Sequence, residues 1–219
     1  MTPAAERIAA MIEALVDPGF VVIDDLFDAA TIAAMRAEAV ELDAAGELRA
    51  ARVGLLDHAS RQPQIRGDRI GWLDMTQPSA VQRPHVEFLA QLQQAINREL
   101  FLGLHEFEGH YALYPPGSFY GPHMDRFAGT MHRVVTCILY LNDDWQPEDG
   151  GLLRLYLDER GQQGPYLDIA PLGGRCVVFV SERFLHEVLP ARRERVSLTG
   201  WFRVRSTAEE DKRQFRPVA

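Results

Sequence analysis

Polar and apolar residues alternate along the C-terminal stretch Arg195–Arg203, and this pattern predicts a β-strand. One face of the strand is apolar and carries Val196, Leu198, Phe202 and, just beyond, Val204. The other face carries Arg195, Ser197, Thr199 and Trp201. A face with an arginine, two hydroxyls and a tryptophan is unusual both for a solvated surface and for a hydrophobic core. The pattern therefore favours a strand that forms the wall of a polar pocket.

A second strand is predicted from Arg133 to Asn142, where both faces are apolar, as in a strand that is covered on both sides. Tyr140 is the one large residue of this strand with a polar tip. A tyrosine in such a position is commonly a core residue with a satisfied hydroxyl. Next to a polar pocket, a hydroxyl that faces a ligand is the better interpretation.

Helical spacing of apolar residues and capping signals predict three helices in the first half of the chain. They cover residues 4–16, residues 28–45 with Asp28 as N-cap and Gly46 as stop, and residues 86–102. Buried strands are expected at Phe20–Ile23 and through Trp72, and short strands separated by turns dominate from Phe107 onward. The expected fold is mainly β with flanking α-helices, with a jelly-roll or barrel core and the helices on one outer face.

This organisation predicts one domain over residues 1–205, with helical support in 1–105 and the β core at about 107–204. Residues 206–219, rich in charged side chains, are expected to form a mobile tail.

Composition narrows the classes of partner. The chain has 219 residues, with 23 Lys and Arg against 31 Asp and Glu, which gives a net charge of -8. Broad binding to nucleic acid or to an anionic membrane needs a cationic surface, so neither is expected. The two cysteines, Cys137 and Cys176, lie in apolar runs and are expected to be buried free thiols. Charged residues near the N-terminus interrupt the apolar core that a signal peptide needs, and a cytoplasmic location is expected.

Candidate metal ligands occur as the pair His123 and Asp125 and as the distant His186. Two imidazoles and one carboxylate on one face of a ferrous ion leave three coordination positions open for a co-substrate and oxygen. In a strand, residues i and i+2 point to the same side, so His123 and Asp125 are expected to converge. A His-x-Asp pair alone occurs by chance in many chains, and its significance here comes from the predicted pocket beside it.

Arg195 is the candidate anion anchor of that pocket, because a guanidinium can bind a carboxylate through two parallel hydrogen bonds. An arginine on a half-exposed strand is otherwise a common surface residue.

Six stretches of this chain resemble, in the same order, the iron(II) and 2-oxoglutarate dependent dioxygenases, and specifically the oxygen-sensing prolyl 4-hydroxylases of animals and bacteria. The similar stretches are residues 19–27, 65–72, 114–125, 135–145, 150–154 and 186–201. The resemblance implies a double-stranded β-helix (jelly roll) core and a bacterial member of the family. The turn before His123 is one residue shorter than expected for the animal enzymes, and His110 stands where an apolar pocket residue is expected.

Carried over to this sequence, the resemblance implies that His123, Asp125 and His186 bind Fe(2+). Arg195 and Tyr140 would bind the distal carboxylate of 2-oxoglutarate. Tyr114, Thr199 and Trp201 would line the metal pocket. The implied reaction consumes 2-oxoglutarate and O2, hydroxylates C4 of a proline, and releases succinate and carbon dioxide, with ascorbate as a supporting reductant.

The substrate is less well defined by the sequence. Candidate contacts are Arg66, Asp68, Trp72, Tyr120 and Arg133, beside a polar loop at residues 47–64. The resemblance makes a protein substrate the leading expectation, with elongation factor Tu as the candidate partner. The alternatives are a hydroxylase of a small metabolite such as free proline, and a non-catalytic protein that senses 2-oxoglutarate or oxygen. A broad groove bordered by residues 47–72 would favour a peptide, and a lid over Tyr120 would favour a metabolite. Nothing in the sequence indicates an oligomeric state.

Overall fold

The computed structural model describes residues 3–51, 62, 64–126 and 132–205. Three α-helices occur in this part of the chain: α1 Pro3–Val16, α2 Ala29–Ala44 and α3 Arg83–Leu100. The first six strands are β1 Phe20–Ile23, β2 Arg49–Ala50, β3 Arg69–Trp72, β4 Glu106–Tyr114, β5 Tyr120–His123 and β6 Arg133–Tyr140. The remaining strands are β7 Leu153–Tyr156, β8 Tyr166–Ile169, β9 Cys176–Val180, β10 His186–Val188 and β11 Arg195–Arg203.

The strands form two antiparallel sheets. The larger sheet has the order β1-β9-β6-β11-β4-β3-β2, and the smaller one has the order β5-β10-β7-β8. This arrangement of two packed antiparallel sheets confirms the expected jelly-roll core. The N-terminal segment does more than support the core with helices, because β1 extends one edge of the larger sheet and β3 and β2 extend the other.

The outer face of the larger sheet is covered by the helices. Leu198 and Phe202 of β11 share one hydrophobic cluster with Leu92 and Ile96 of α3, as their spacing in the sequence suggested. Met11 of α1 and Met35 of α2 complete the cover and are fully buried. Burial of a large aliphatic or aromatic side chain contributes about 1.5–3 kcal/mol, so this face supplies much of the stability of the fold.

The inner face of the larger sheet packs against the smaller sheet. One cluster joins Ile138 and Phe179 of the larger sheet to Leu155 of the smaller one. Arg195, Ser197 and Trp201 are buried although they are the polar positions of β11. The polar face of β11 therefore lies inside the protein, between the two sheets.

The helix boundaries follow the capping chemistry. Asp28 caps α2 as predicted, because its carboxylate accepts a hydrogen bond of 2.7 Å from the backbone amide of Thr31. α3 begins three residues earlier than predicted, at Arg83, because Pro84 lies in its first turn, where its missing N–H costs nothing. No helix in the described ranges combines the length and the apolarity that a membrane crossing requires. Most of the loop at 47–64 and the tail from residue 206 lie outside the described residues.

Candidate metal centre

The three predicted metal ligands meet between the two sheets. His186 of β10 pairs directly with His123 of β5, and Asp125 lies two residues beyond His123. His123 Nε2 is 3.9 Å from Asp125 Oδ1, and His186 Nε2 is 3.5 Å from Asp125 Oδ2. An ion bonded at about 2.1 Å holds neighbouring ligand atoms roughly 3 Å apart. A small inward movement of these side chains therefore suffices to bind a divalent metal.

The reason for this convergence differs from the one predicted. β5 ends at His123, so Asp125 is not the next inward-facing residue of the same strand. Its carboxylate instead reaches β6 in the other sheet, where Asp125 Oδ2 accepts a hydrogen bond of 2.7 Å from the hydroxyl of Thr136. The prediction that alternation within one strand aligns His123 and Asp125 is therefore wrong in its mechanism, although the two residues do converge.

Backbone carbonyls orient both imidazoles. His123 Nδ1 lies 2.9 Å from the carbonyl oxygen of Gly121, and His186 Nδ1 lies 3.0 Å from that of Phe184. A carbonyl accepts only, so each Nδ1 carries the proton and each Nε2 presents a lone pair. This is the tautomer that a metal-binding histidine requires.

The electrostatics of the site favour the same protonation states. Burial, and then the neighbouring His186, lower the pKa of His123 to about 3, so its ring is neutral. Burial raises the pKa of Asp125, but the two imidazoles and the Thr136 hydroxyl outweigh this and the net pKa is lowered. The centre therefore offers the Nε2 lone pairs of two imidazoles and one carboxylate, a donor set that fits Fe(II) and leaves three positions open.

Thr136 and Ser181 are site residues that were not singled out in the sequence. Thr136 donates its only hydroxyl proton to Asp125, so Ser181 Oγ, 2.8 Å away, must donate to Thr136. Thr136 and Tyr140 are four residues apart on one strand and share its inner face. That spacing could have identified Thr136 once Tyr140 was placed in the pocket.

We expect Thr136→Val to lower the Fe(II) affinity by about 10- to 100-fold, the usual cost of removing a hydrogen bond that orients a metal ligand. Valine keeps the shape of the side chain and removes the donor to Asp125. Titration of the metal-free protein with Fe(II) under anaerobic conditions would measure the change. Thr136→Ser, which keeps the hydroxyl, is the control, and equal affinities for the two variants would show that the hydrogen bond has no such effect.

Arg195 is the first residue of β11, on its inner face, and is 2% exposed. Its guanidinium carbon lies 5.1 Å from the ring centre of Tyr114 and 4.9 Å from that of Tyr140. Arg195 Nε donates a hydrogen bond of 2.9 Å to the carbonyl of Gly151, which leaves the two terminal nitrogens as donors for a carboxylate. The hydroxyl of Tyr140 is buried and has no hydrogen-bond partner within the described ranges. A buried, unpaired hydroxyl beside a buried cation indicates that a ligand completes this site.

Both tyrosines are donors at neutral pH. Burial raises the pKa of Tyr140 to about 12, although Arg195 and Arg175 act in the opposite direction. Burial also raises the pKa of Tyr114, with Asp68 acting in the same direction. Arg195, Tyr114 and Tyr140 together therefore present positive charge and O–H groups, a combination that suits an anion.

Two adjacent glycines allow the backbone to approach Arg195. Gly150 and Gly151 have backbone φ angles of 66° and 63°, which residues other than glycine rarely adopt. A Cβ on Gly151 would lie 3.2 Å from Arg195 Cδ and 3.1 Å from Trp145 Cζ2. Gly151 thus has two reasons to be glycine, and the sequence pattern alone gave no signal of its contact with Arg195.

Thr199 and Trp201 follow Arg195 along the inner face of β11, as the alternation predicted. The guanidinium of Arg133 lies 3.5 Å from the ring centre of Trp201 and donates a hydrogen bond of 2.7 Å to Glu108. Arg133 therefore packs against the pocket wall from the side, with its charge already paired.

Two of the other candidate substrate contacts, Tyr120 and Arg66, lie next to the metal ligand His123. The ring of Tyr120 stacks on that of His123 with 3.6 Å between centroids. The guanidinium carbon of Arg66 lies 4.6 Å from the ring centre of Tyr120. Arg66 is held by Asp68 through two hydrogen bonds of 2.6 and 2.8 Å. Trp72, at the end of β3, is 57% exposed.

Comparisons with known proteins agree with this site. A family model described as the 2OG-Fe(II) oxygenase superfamily matches residues 109–203, a range that includes all three metal ligands and Arg195. Human Egl nine homolog 1 is 33% identical over 150 residues, which cover 63% of this chain and 33% of the human protein. The Caenorhabditis elegans hypoxia-inducible factor prolyl hydroxylase is 33% identical over 156 residues, which cover 68% of this chain and 21% of that protein. The chain thus spans a third or less of the length of these two relatives.

Two solved structures have the same fold. A Pseudomonas putida prolyl-4-hydroxylase is 43% identical, with a TM-score of 0.79 and coverage of 90% of this chain and 99% of that one. A Trichoplax adhaerens prolyl hydroxylase has a TM-score of 0.80 at 24% identity, covering 96% of this chain and 92% of that one. The superfamily uses Fe(II), 2-oxoglutarate and O2, for which the donor set described above is suited. The chain therefore belongs to the 2OG-Fe(II) oxygenase superfamily and, within it, to the prolyl hydroxylases.

Proposed function

We propose that this protein hydroxylates C4 of a proline in a protein substrate, with 2-oxoglutarate and O2 as co-substrates. The observation that carries the proposal is that one pocket has a His-Asp-His centre between the sheets and a buried arginine farther along its wall. The relative from Pseudomonas putida, a prolyl-4-hydroxylase, supports the choice of proline.

Fe(II) and 2-oxoglutarate, when bound, supply the oxidising chemistry, in which one oxygen atom of O2 goes to succinate and the other to the substrate C–H bond, with loss of carbon dioxide. The protein holds the metal through His123, Asp125 and His186. It keeps both imidazoles in the required tautomer and leaves one side of the metal open. Tyr120 and Phe179 pack against the two imidazoles and limit their movement.

Arg195 and Tyr140 would bind the distal carboxylate of 2-oxoglutarate, and the ring of Tyr114 lies near the same guanidinium. The carboxylate would pair with the charge of Arg195 and satisfy the Tyr140 hydroxyl. Fixing this end of the co-substrate directs its other end toward the metal, a positioning effect that favours the productive geometry. Thr199 and Trp201 would line the wall between the two ends.

We expect Gly151→Ala to raise the KM for 2-oxoglutarate by about tenfold, because the added methyl group displaces Arg195 or Trp145 and loosens the anchor. Steady-state succinate formation at varied 2-oxoglutarate concentration would measure this. Gly46→Ala is the matched control, since Gly46 also has a positive φ, of 74°, but a Cβ there meets nothing within 4 Å. If both variants change the KM equally, the effect comes from backbone strain in general and not from contact with Arg195.

The substrate would enter beside Tyr120, Arg66 and Asp68, with Trp72 and Arg133 along the wall. The Caenorhabditis elegans relative is named a hypoxia-inducible factor prolyl hydroxylase. The Trichoplax adhaerens prolyl hydroxylase is described in complex with a peptide fragment of that factor. These descriptions support a protein substrate for this chain. Elongation factor Tu is the candidate that the sequence resemblance suggested, and a cytoplasmic location is the matching expectation.

The test compares the proteome of cells that contain the wild-type protein with that of cells that contain Asp125→Ala. We expect one or a few prolines to gain an oxygen atom in the wild-type cells alone, and purified elongation factor Tu should be modified in vitro if it is the substrate. Hydroxylation of added free proline, with no protein modified, would overturn the proposal in favour of a metabolite hydroxylase. Absence of both products, and of succinate, would overturn it in favour of a binding protein.

A further inference from the structure

His110 is a buried polar residue of the pocket wall that the proposed chemistry does not use. It lies on β4, directly opposite Thr199 of β11 on one side and Trp72 of β3 on the other. Its ring centre is 4.9 Å from that of Trp72 and 5.5 Å from that of Trp201. The side chain is 2% exposed, and its Nδ1 is buried with no hydrogen-bond partner in the described part of the chain. Such an atom calls for an explanation.

The ring is neutral. Burial lowers the pKa of His110 well below its usual value, Arg66 and Arg133 lower it further, and Asp125 acts weakly in the opposite direction. A neutral imidazole has one N–H and one acceptor nitrogen. A buried donor without a partner is rarer than a buried acceptor without one. Since Nδ1 has no partner, the tautomer with the proton on Nε2 is favoured.

His110 lies on a different strand from the residues that hold the metal ligand Asp125 and the co-substrate anchor. The metal ligand Asp125 is tied to β6 through Thr136, and Arg195 lies on β11. The row that contains His110 continues from β11 to β4 and β3, away from β6, and ends at the exposed Trp72. His110 therefore lies between the exposed Trp72 and the part of β11 that carries Thr199.

We propose that His110 is a specificity-determining residue that donates a hydrogen bond from Nε2–H to a carbonyl oxygen of the substrate prolyl peptide. A proline within a peptide has no N–H, so its backbone offers acceptors only. A pocket that recognises it must supply donors, and a neutral N–H matches a neutral carbonyl. The inference rests on the proposed function and adds the group that recognises the peptide bond at the proline.

The charges around His110 favour a peptide over free proline. Arg66 is held in two hydrogen bonds by the buried Asp68, and Arg133 is paired with Glu108. The two cations whose charges act on His110 are thus already paired with carboxylates. The carboxylate of free proline would need an unpaired cation in a buried site, whereas a peptide carbonyl needs only a donor.

The test measures binding without turnover, so that it does not depend on hydroxylation. The holoprotein is loaded with Zn(II) in place of Fe(II) and with 2-oxoglutarate, labelled with [15N]histidine, and titrated with N-acetylprolinamide and with free proline. We expect N-acetylprolinamide to bind more tightly than proline and to shift the Nε2–H resonance of His110, with Nδ1 unprotonated. We expect His110→Leu to weaken N-acetylprolinamide binding by about fivefold to tenfold, the effect of one neutral hydrogen bond, and His110→Gln to recover part of it.

His85→Leu is the matched control. His85 is also 2% exposed with a buried, unpartnered Nδ1, but it lies on α3, where its ring centre is 6.2 Å from that of Phe27, outside the pocket. This variant should bind N-acetylprolinamide like the wild type. Succinate formation by the Fe(II) enzyme without substrate should also be the same in the wild type and in His85→Leu, because His85 lies on α3 and not on the wall that carries Thr199 and Trp201.

The inference is overturned if the wild type does not bind N-acetylprolinamide, if His110→Leu binds it as well as the wild type, or if His85→Leu weakens binding as much as His110→Leu does. Failure of the proposed function would appear separately, as proteomes without hydroxylated proline, whatever the result of the binding experiment.

Discussion

Asp125→Ala is expected to abolish Fe(II)-dependent conversion of 2-oxoglutarate to succinate. The carboxylate is the one anionic member of the donor set, and its loss leaves two neutral imidazoles to hold a divalent ion. Removing a supporting hydrogen bond costs roughly 10- to 100-fold in metal affinity, so removing the ligand itself should cost more than about a hundredfold. Anaerobic Fe(II) titration and succinate formation with excess Fe(II) would measure the affinity and the activity.

Glu187→Ala is the matched control for this variant. Glu187 follows the ligand His186 on β10, but its carboxylate accepts a hydrogen bond from the Tyr156 hydroxyl. Strand alternation places the side chains of neighbouring residues on opposite faces, so Glu187 points away from the metal centre. The control should keep its Fe(II) affinity. Normal succinate formation by Asp125→Ala would show that the metal is held elsewhere.

Arg195→Ala is expected to raise the KM for 2-oxoglutarate by about a hundredfold and to leave Fe(II) affinity unchanged. Removing one partner of a buried charged pair costs about 2–5 kcal/mol, and each 1.4 kcal/mol is a factor of ten. In this protein the co-substrate carboxylate would be left beside the Tyr140 hydroxyl without its charge partner. Succinate formation over a wide range of 2-oxoglutarate concentration measures the KM, and Fe(II) titration measures metal binding.

Arg193→Ala separates the anchor from the general loss of a positive charge. Arg193 lies two residues earlier and pairs with Asp143 and Asp149, outside the pocket. The KM should change little in this variant. A KM that stays the same in Arg195→Ala, or that rises equally in Arg193→Ala, would remove Arg195 from its proposed role.

The burial of Arg195 also affects the free energy of unfolding. Within the described residues the guanidinium of Arg195 lies near the rings of Tyr114 and Tyr140 and donates to the Gly151 carbonyl, and a buried cation is costly without a counter-charge. The co-substrate would supply that charge, and a ligand that binds only the folded protein stabilises it by mass action. If Arg195 binds 2-oxoglutarate as proposed, we expect added 2-oxoglutarate to raise the free energy of unfolding.

The sequence located the site residues better than it explained their arrangement. The alternation from Arg195 to Arg203 correctly assigned the two faces of β11, because a strand has a side-chain period of two whatever surrounds it. The pairing of His186 with His123, in contrast, depends on which strands neighbour each other in the smaller sheet. No local pattern specifies which strand is the neighbour. The resemblance to a family indicated only that His123 and His186 bind the same metal.

By itself, the sequence determined the residue types that can bind iron and a carboxylate, the polar inner face of β11, and the apolar outer face that the helices cover. These follow from chemistry and periodicity along one segment. The tertiary structure decided how Asp125 is held, through Thr136 of the opposite sheet, and how Arg195 is held, through a glycine carbonyl in a distant turn. It also decided that His110 lies beside Thr199 and Trp72 in the pocket wall. Each of these contacts joins residues from separate segments, which only strand pairing within a sheet or the packing of the two sheets brings within hydrogen-bond or van der Waals distance.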